Sequence, residues 1–214
     1  IWNDLRTQDE IKANMFKHLN GDENNLQAYY KMSTATGTTL VDNSSNSNDG
    51  TITGATWGTT YVPLGDLNSS YQTDMEGLWE ATGTSASQAS SGLTMTVSQT
   101  LSEENFAVFG NNNTSSTSTS DLPSGTAIRS ARIWQVDKSG TVSASVIIDI
   151  SEATGNSPTV GDASNYKLLH RIGTSGNFTI VATGGSVSGD NITFSGVTVN
   201  KGFYVIAATD SSNL

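Results

Sequence analysis

The run from Val142 to Ile150 constrains this chain most. Val142, Ala144, Val146, Ile148 and Ile150 hold every second position. Side chains of a strand alternate between sheet faces, so a period of two puts all five on one face, whereas a helix would scatter them. Leu93, Met95 and Val97 repeat the pattern between threonines. Apolar runs at 106–110, 128–136, 166–171, 178–182, 192–194 and 203–207 are separated by Gly, Asn, Asp and Ser, the residues of tight turns. Gly189-Asp190 between Val187 and Ile192 reads as a hairpin turn. The expected class is therefore all-β: an antiparallel β-sandwich, jelly-roll or immunoglobulin-like, with one short N-terminal helix. Residues 67–92 predict irregular structure with one short strand near Leu78. Residues 111–120 predict a mobile polar loop, and 151–164 a second loop.

The helix signal lies near the start. Thr7 offers an N-cap hydroxyl and Glu10 stands three residues on, the capping-box spacing. Ile11, Met15, Phe16 and Leu19 recur at helical intervals and predict one apolar face; Gly21 marks the stop. Ile1-Trp2 reads as the end of a strand, and 26–32 as another. Val62-Pro63-Leu64-Gly65-Asp66 reads as a linker, because proline blocks pairing and glycine loosens the chain.

The first 57 residues also carry a cassette: Ile1-Trp2-Asn3, Arg6-Thr7, Glu10-Ile11, Asn14-Met15, Ala28-Tyr29-Tyr30, Gly37 to Leu40, Asp42, Asn48-Asp49-Gly50 and Thr56-Trp57. It resembles the closing segment of laminin-G-like, concanavalin-type jelly rolls in large secreted bacterial surface proteins. In the second half, Phe109-Gly110, Leu122 to Gly125, Arg129, Arg132, Trp134, Tyr166, Leu168-Leu169, Phe194 and Phe203-Tyr204 resemble an uncharacterised β-sandwich module. That module accompanies such repeats in proteins exported by the type IX route. The resemblance implies a laminin-G-like C-terminal segment over 1–61, a linker over 62–70 and a sandwich module over 71–214. It implies an extracellular or cell-surface location and a cassette that begins mid-motif, with further sequence expected upstream. It implies no reaction.

Composition narrows the partners. The net charge is −10, and no Lys, Arg or His falls between Lys31 and Arg129. Nucleic acid is not expected, since phosphates are neutralised by Lys and Arg, nor is insertion into a membrane. Neighbouring domains of the same polypeptide, identical subunits and glycans remain as partners. There is no cysteine, so no disulfide holds the fold.

Asp42, Asn46, Asn48 and Asp49 crowd oxygen-bearing side chains into one loop and form a candidate calcium site; the same residues make plain turns by bonding their own backbone. No other cofactor is indicated. His18 and His170 read as structural or solvated. Glu76/Glu80, Glu103/Glu104 and Asp149/Glu152 are the carboxylate pairs that glycoside chemistry would need, and read as surface charges. No catalytic residue is indicated. Trp57, Tyr61, Tyr71 and Trp79 are candidates for stacking on sugars or for filling a seam between units. Trp134 is either core or a cation–π partner of Arg132. The expected role is non-catalytic: adhesion, stalk or filament building. The alternatives are a carbohydrate-binding module serving an enzyme and a strand-donating filament subunit, Ile1-Trp2 being a strand end that another chain could pair.

Overall fold

The computed structural model describes residues 1–58, 64–79, 87–97, 100–102 and 104–214, with the backbone alone at 87 and 88. The chain forms an antiparallel β-sandwich. Its elements are α1 (Gln8–Met15), β1 (Thr39–Leu40), β2 (Gly50–Thr51), β3 (Thr73–Leu78), β4 (Ser87–Ser90), β5 (Leu93–Thr96), β6 (Phe106–Asn111), β7 (Thr117–Ser118), β8 (Ile128–Ser130), β9 (Trp134–Ser139), β10 (Ser143–Asp149), α2 (Ile150–Thr154), β11 (Tyr166–Arg171), β12 (Thr179–Thr183), β13 (Ser186–Ser188), β14 (Asn191–Thr198) and β15 (Gly202–Ala208).

One layer has five strands in the order β13-β14-β10-β5-β4. The other runs β12-β11-β15-β9-β6-β3, with β8 also against β15 and β7 beyond β8. β1 and β2 form a separate two-stranded ribbon. The alternation from Val142 to Ile150 fixes the register. Ala144, Val146 and Ile148 point into the core, where Leu93, Met95, Ile192 and Phe194 meet Phe109, Trp134, Tyr166, Leu168, Tyr204 and Ile206 of the facing layer. At about 25 cal/mol per Å² of apolar surface removed from water, this shared interior is the main source of stability.

The eight-stranded layer is also covered on its outer face. Leu169, Phe203, Val205 and Ala207 bury there against Ile133 and Phe178, with Leu122 and Tyr71 at the margin. This is why β15 reads as an unbroken apolar run instead of alternating; a strand buried on both faces has no polar side.

Several expectations are corrected. The expected strand over 128–136 is two strands. β8 pairs the C-terminal end of β15 and β9 its N-terminal end. Between them Ala131 N–H bonds the Ser116 carbonyl and Ile133 N–H bonds Asn112 Oδ1, so the ladder changes partners. The polar stretch 111–120 is tied down: Asn111 is buried and donates to Ser90 Oγ, and β7 pairs β8. The loop expected over 151–164 holds α2, because Asp149 Oδ1 accepts the Glu152 N–H as an N-cap and Gly155 ends the turn at φ +72°. The segment 26–32 is no strand; it makes isolated bridges at Trp2–Leu26 and Tyr30–Asp42. In 67–92 the short strand expected near Leu78 is β3, and β4 is a second strand where irregular structure was expected.

The capping box forms as expected: Thr7 Oγ1 accepts the Glu10 N–H while Glu10 Oε2 accepts the Thr7 N–H. The Thr7 N–H and, next, the Thr7 hydroxyl donate to Glu10 Oε2 and hold that carboxyl below its usual range. The helix stops at Met15, well before Gly21, and its apolar face is not buried. Ile11 and Met15 are about half exposed, while Phe16, at the C-cap, is 5% exposed. Phe16 packs with Leu67, Met75, Phe106 and Val108 on the outer face of β3 and β6.

Residues 62 and 63 of the expected linker lie outside the described residues. The part that follows is packed. Gly65 N–H bonds the Phe16 carbonyl, Asp66 N–H bonds Asp137 Oδ2, and Leu67 is buried. A Cβ on Gly65 would sit 2.7 Å from Val108 Cβ, so glycine serves close approach there.

Candidate functional site

The loop 42–50 is built around one carboxylate. Asp42 Oδ1 accepts the N–H groups of Tyr29 and Ser44, and Oδ2 accepts Ser44 Oγ and the Asn48 N–H. Burial would raise its pKa, but these bonds outweigh burial and hold the carboxyl well below the usual range. Asp49 Oδ1 accepts the Asp42 N–H. Asn46 and Asn48 turn their amide nitrogens to the Gln27 carbonyl. The structure therefore brings all four residues of the calcium candidate into one loop. It employs them as a turn that clamps 26–29, with four donors on the Asp42 lone pairs a cation would use. No group of three or more His, Asp or Glu side chains is placed to hold a metal among the described residues.

Two of the three carboxylate pairs, Glu76/Glu80 and Glu103/Glu104, each include a residue outside the described ones, Glu80 and Glu103. Asp149 caps α2, as above. Glu76 stands with Asp9, Lys12 and Asp74 in a groove between α1 and β3, and burial raises its pKa. His18 Nδ1 lies 3.4 Å from the Tyr29 hydroxyl. His170 is buried, with Nε2 2.9 Å from the Lys201 carbonyl. Trp134 is core, and its Nε1 donates to the Ser90 carbonyl at 2.8 Å. Within the sandwich a cation–π contact falls instead on Phe178, whose ring centre lies 5.3 and 4.2 Å from the guanidinium carbons of Arg129 and Arg171. Both guanidinium groups reach Asp121, at 3.5 and 3.0 Å.

Of the three sugar-stacking candidates among the described residues, Trp79 lines a groove. Trp57 donates from Nε1 to the Gly37 carbonyl, Tyr71 packs edge-on against Phe203, and Tyr61 lies outside the described residues. Trp79 faces a cavity of about 610 Å³ between the N-terminal segment and β3. Tyr29, Tyr30, Met15, Lys17 and Lys31 complete its wall. The Lys31 ammonium lies 5.4 Å from the Tyr29 ring centre, and the Tyr30 hydroxyl donates to the Asn48 carbonyl, so the Asp42 turn positions this wall. Sequence reasoning missed both tyrosines as site residues. The signal was the Tyr-Tyr pair itself, read as part of a strand.

The fold and these surfaces define an antiparallel β-sandwich whose outer sheet face is strapped by an N-terminal segment, with an aromatic groove at the join. The chain belongs to the family described as a domain of unknown function (DUF8202), whose model matches residues 67–203. Comparison with curated proteins and with solved structures finds no match.

Proposed function

We propose that the chain is a non-catalytic module of a secreted, modular bacterial surface protein, serving adhesion, stalk or filament building. The observation that carries the reading is where exposed apolar side chains fall. Of ten large hydrophobic residues exposed among the described residues, six lie in the first 41: Ile1, Leu5, Ile11, Met15, Met32 and Val41. Phe16 fastens this segment to the sandwich and Leu26 and Ala28 are buried with it, while those six side chains face outward. Such a concentration of exposed apolar surface marks a contact surface. Its resemblance to the end of a laminin-G-like domain makes a neighbouring domain of the same polypeptide the natural cover. Ile1 and Trp2 pair within the chain: the Ile1 amino group donates to the Ala28 carbonyl and Trp2 bridges Leu26. This favours the module reading over strand donation.

The test is sedimentation of the whole chain with an apolar dye, beside Ile11→Lys/Met15→Lys. The wild type is expected to bind dye or self-associate weakly, and the variant to lose both at unchanged melting temperature. A strictly monomeric, dye-silent wild type refutes the contact surface; turnover of a glycoside or ester substrate refutes the non-catalytic reading. A second reading, glycan binding, is favoured by the groove of Tyr29, Tyr30 and Trp79. A glycan array with wild type and Tyr29→Ala tests it, and equal signals from both would end it.

A further inference from the structure

The chain is acidic, yet its sandwich gathers cations at one place. Six of the ten Lys and Arg residues follow residue 64: Arg129, Arg132, Lys138, Lys167, Arg171 and Lys201. Arg129 and Arg132 are buried, and Lys167 donates to the Ser164 carbonyl and the Thr183 hydroxyl. The other three meet, with His170, at one end of the eight-stranded layer; His170 and Arg171 are buried there, which leaves Lys138 and Lys201 as its accessible cations. There β9, β15 and β11 lie side by side, and their ends line a cavity of about 730 Å³. Lys138 comes from β9, Lys201 from the turn into β15, and His170-Arg171 from the end of β11. Ser175, Asn177 and Asn200 add hydroxyl and amide groups.

The floor is rigid. His170 Nε2 rests on the Lys201 carbonyl, and its ring lies 4.7 Å from that of Tyr204. Gly202 has φ +134°, and a Cβ there would lie 2.3 Å from the Arg171 carbonyl oxygen. Two acids reach the site. Asp137 Oδ1 pairs with Lys201 Nζ at 2.7 Å, and Asp121 with Arg171 at 3.0 Å. Lys138 donates to the Gly140 carbonyl and has no ion-pair partner among the described residues. A positive excess remains, centred on Lys138.

We propose that this end of the sandwich binds an acidic oligosaccharide, with a carboxylate or sulfate of the sugar at Lys138 and Lys201 and its hydroxyls at Ser175, Asn177 and Asn200. Three arguments select that class. A lysine ammonium is a point charge that meets a single anionic group without a planar fork. Amides and hydroxyls both donate and accept, as sugar hydroxyls require. The volume falls within the roughly 300–1,000 Å³ of small-ligand sites. A peptide strand would use a sheet edge, whereas this cavity sits at strand ends. The site stands on its own residues and does not depend on the role proposed above.

The test titrates the whole chain with tetragalacturonate and with a sulfated heparin-type tetrasaccharide, at about 50 and about 300 mM salt. At least one binds at low salt and weakens at high salt; which one binds identifies uronate or sulfate as the anion. Lys138→Gln weakens it by roughly threefold or more, and Lys138→Gln/Lys201→Gln by roughly tenfold or more, amounts in keeping with partly exposed charge contacts. Lys138→Gln leaves the melting temperature unchanged. Four results overturn the proposal: no binding of either acid sugar, equal binding of a neutral galactose tetramer, equal binding of oligoglutamate, or an affinity indifferent to Lys138→Gln.

Discussion

Phe16→Ala should detach the N-terminal segment without melting the sandwich. Phe16 is 5% exposed and fills a pocket made by Leu67, Met75, Phe106 and Val108, with Trp79 alongside. Truncating a phenylalanine in such a site costs about 3–5 kcal/mol. Two contacts beside it remain. Gly65 N–H bonds the Phe16 carbonyl at 2.8 Å, and Lys17 Nζ reaches Gln72 Oε1 at 3.3 Å. Hydrogen bonds of that kind contribute about 0.5–1.5 kcal/mol each. They cannot replace the ring against the backbone entropy of an ordered segment, about 1–2 kcal/mol per residue. The segment should therefore open locally, and amide exchange in 8–16 and at Gly65 should rise by roughly two to four powers of ten, the equivalent of about 3–5 kcal/mol. Calorimetry should show the sandwich melting where it did before. Gly77→Ala should act in the same direction, because its Cβ would lie 2.6 Å from Phe16 Cε1. If segment and sandwich form one cooperative unit, the same loss appears as a fall of roughly 6–20 °C in a single transition. That fall, with exchange in 8–16 lost only in the global step, would refute the reasoning.

Four further outcomes can be measured. Trp134→Phe removes the Nε1 bond to the buried Ser90 carbonyl and should cost about 0.5–1.5 kcal/mol in urea unfolding, before any loss of packing. Asp121→Asn removes the shared anchor of Arg129 and Arg171; because Asp121 is itself about a third exposed, the loss should be about 1–3 kcal/mol by the same assay. Burial pushes the Tyr204 hydroxyl up to about 12, the Asn200 N–H bond offsetting it only in part. The folded state then holds that proton more tightly than the unfolded one, so stability is intact below about pH 10 and falls by roughly 3 kcal/mol towards pH 12; Tyr204→Phe should flatten that slope of the urea midpoint. Calcium against chelator should leave the melting temperature unchanged, since the Asp42 carboxylate already accepts four donors; a rise equivalent to about 2.7 kcal/mol, as saturation at a hundredfold over Kd would give, assigns an ion to the loop.

What could be read from the residues alone was local. The period-two runs at Leu93–Val97 and Val142–Ile150 named their buried faces correctly, because pleat geometry leaves no alternative. Thr7 with Glu10 and the Gly189-Asp190 turn were legible because each device sits within four residues. The rest was set by distant chain. Arg129 and Arg132, three residues apart, fall on opposite faces of an extended strand, and as long basic side chains neither announces burial. Both are buried by distant chain: Arg129 donates from Nε to the Ser120 carbonyl and Arg132 from Nη1 to the Ser91 carbonyl. Ile11 and Met15 announce a buried helix face, yet only the C-cap residue Phe16 meets the sheet. The aromatic groove joins Tyr29 to Trp79, fifty residues apart in sequence, and neither position carries a local mark of the other.

One connection has a mechanical consequence. β12 is the outermost strand of the eight-stranded layer and β13 the outermost of the five-stranded one, and only Gly184-Gly185 separates them. A Cβ on Gly184 would lie 2.3 Å from the Ala163 carbonyl oxygen, so this corner is pressed tightly onto the body. A single ten-residue hem, 179–188, thus borders both sheets along one flank. Tension applied to this hem therefore loads both layers at once, like a shared seam.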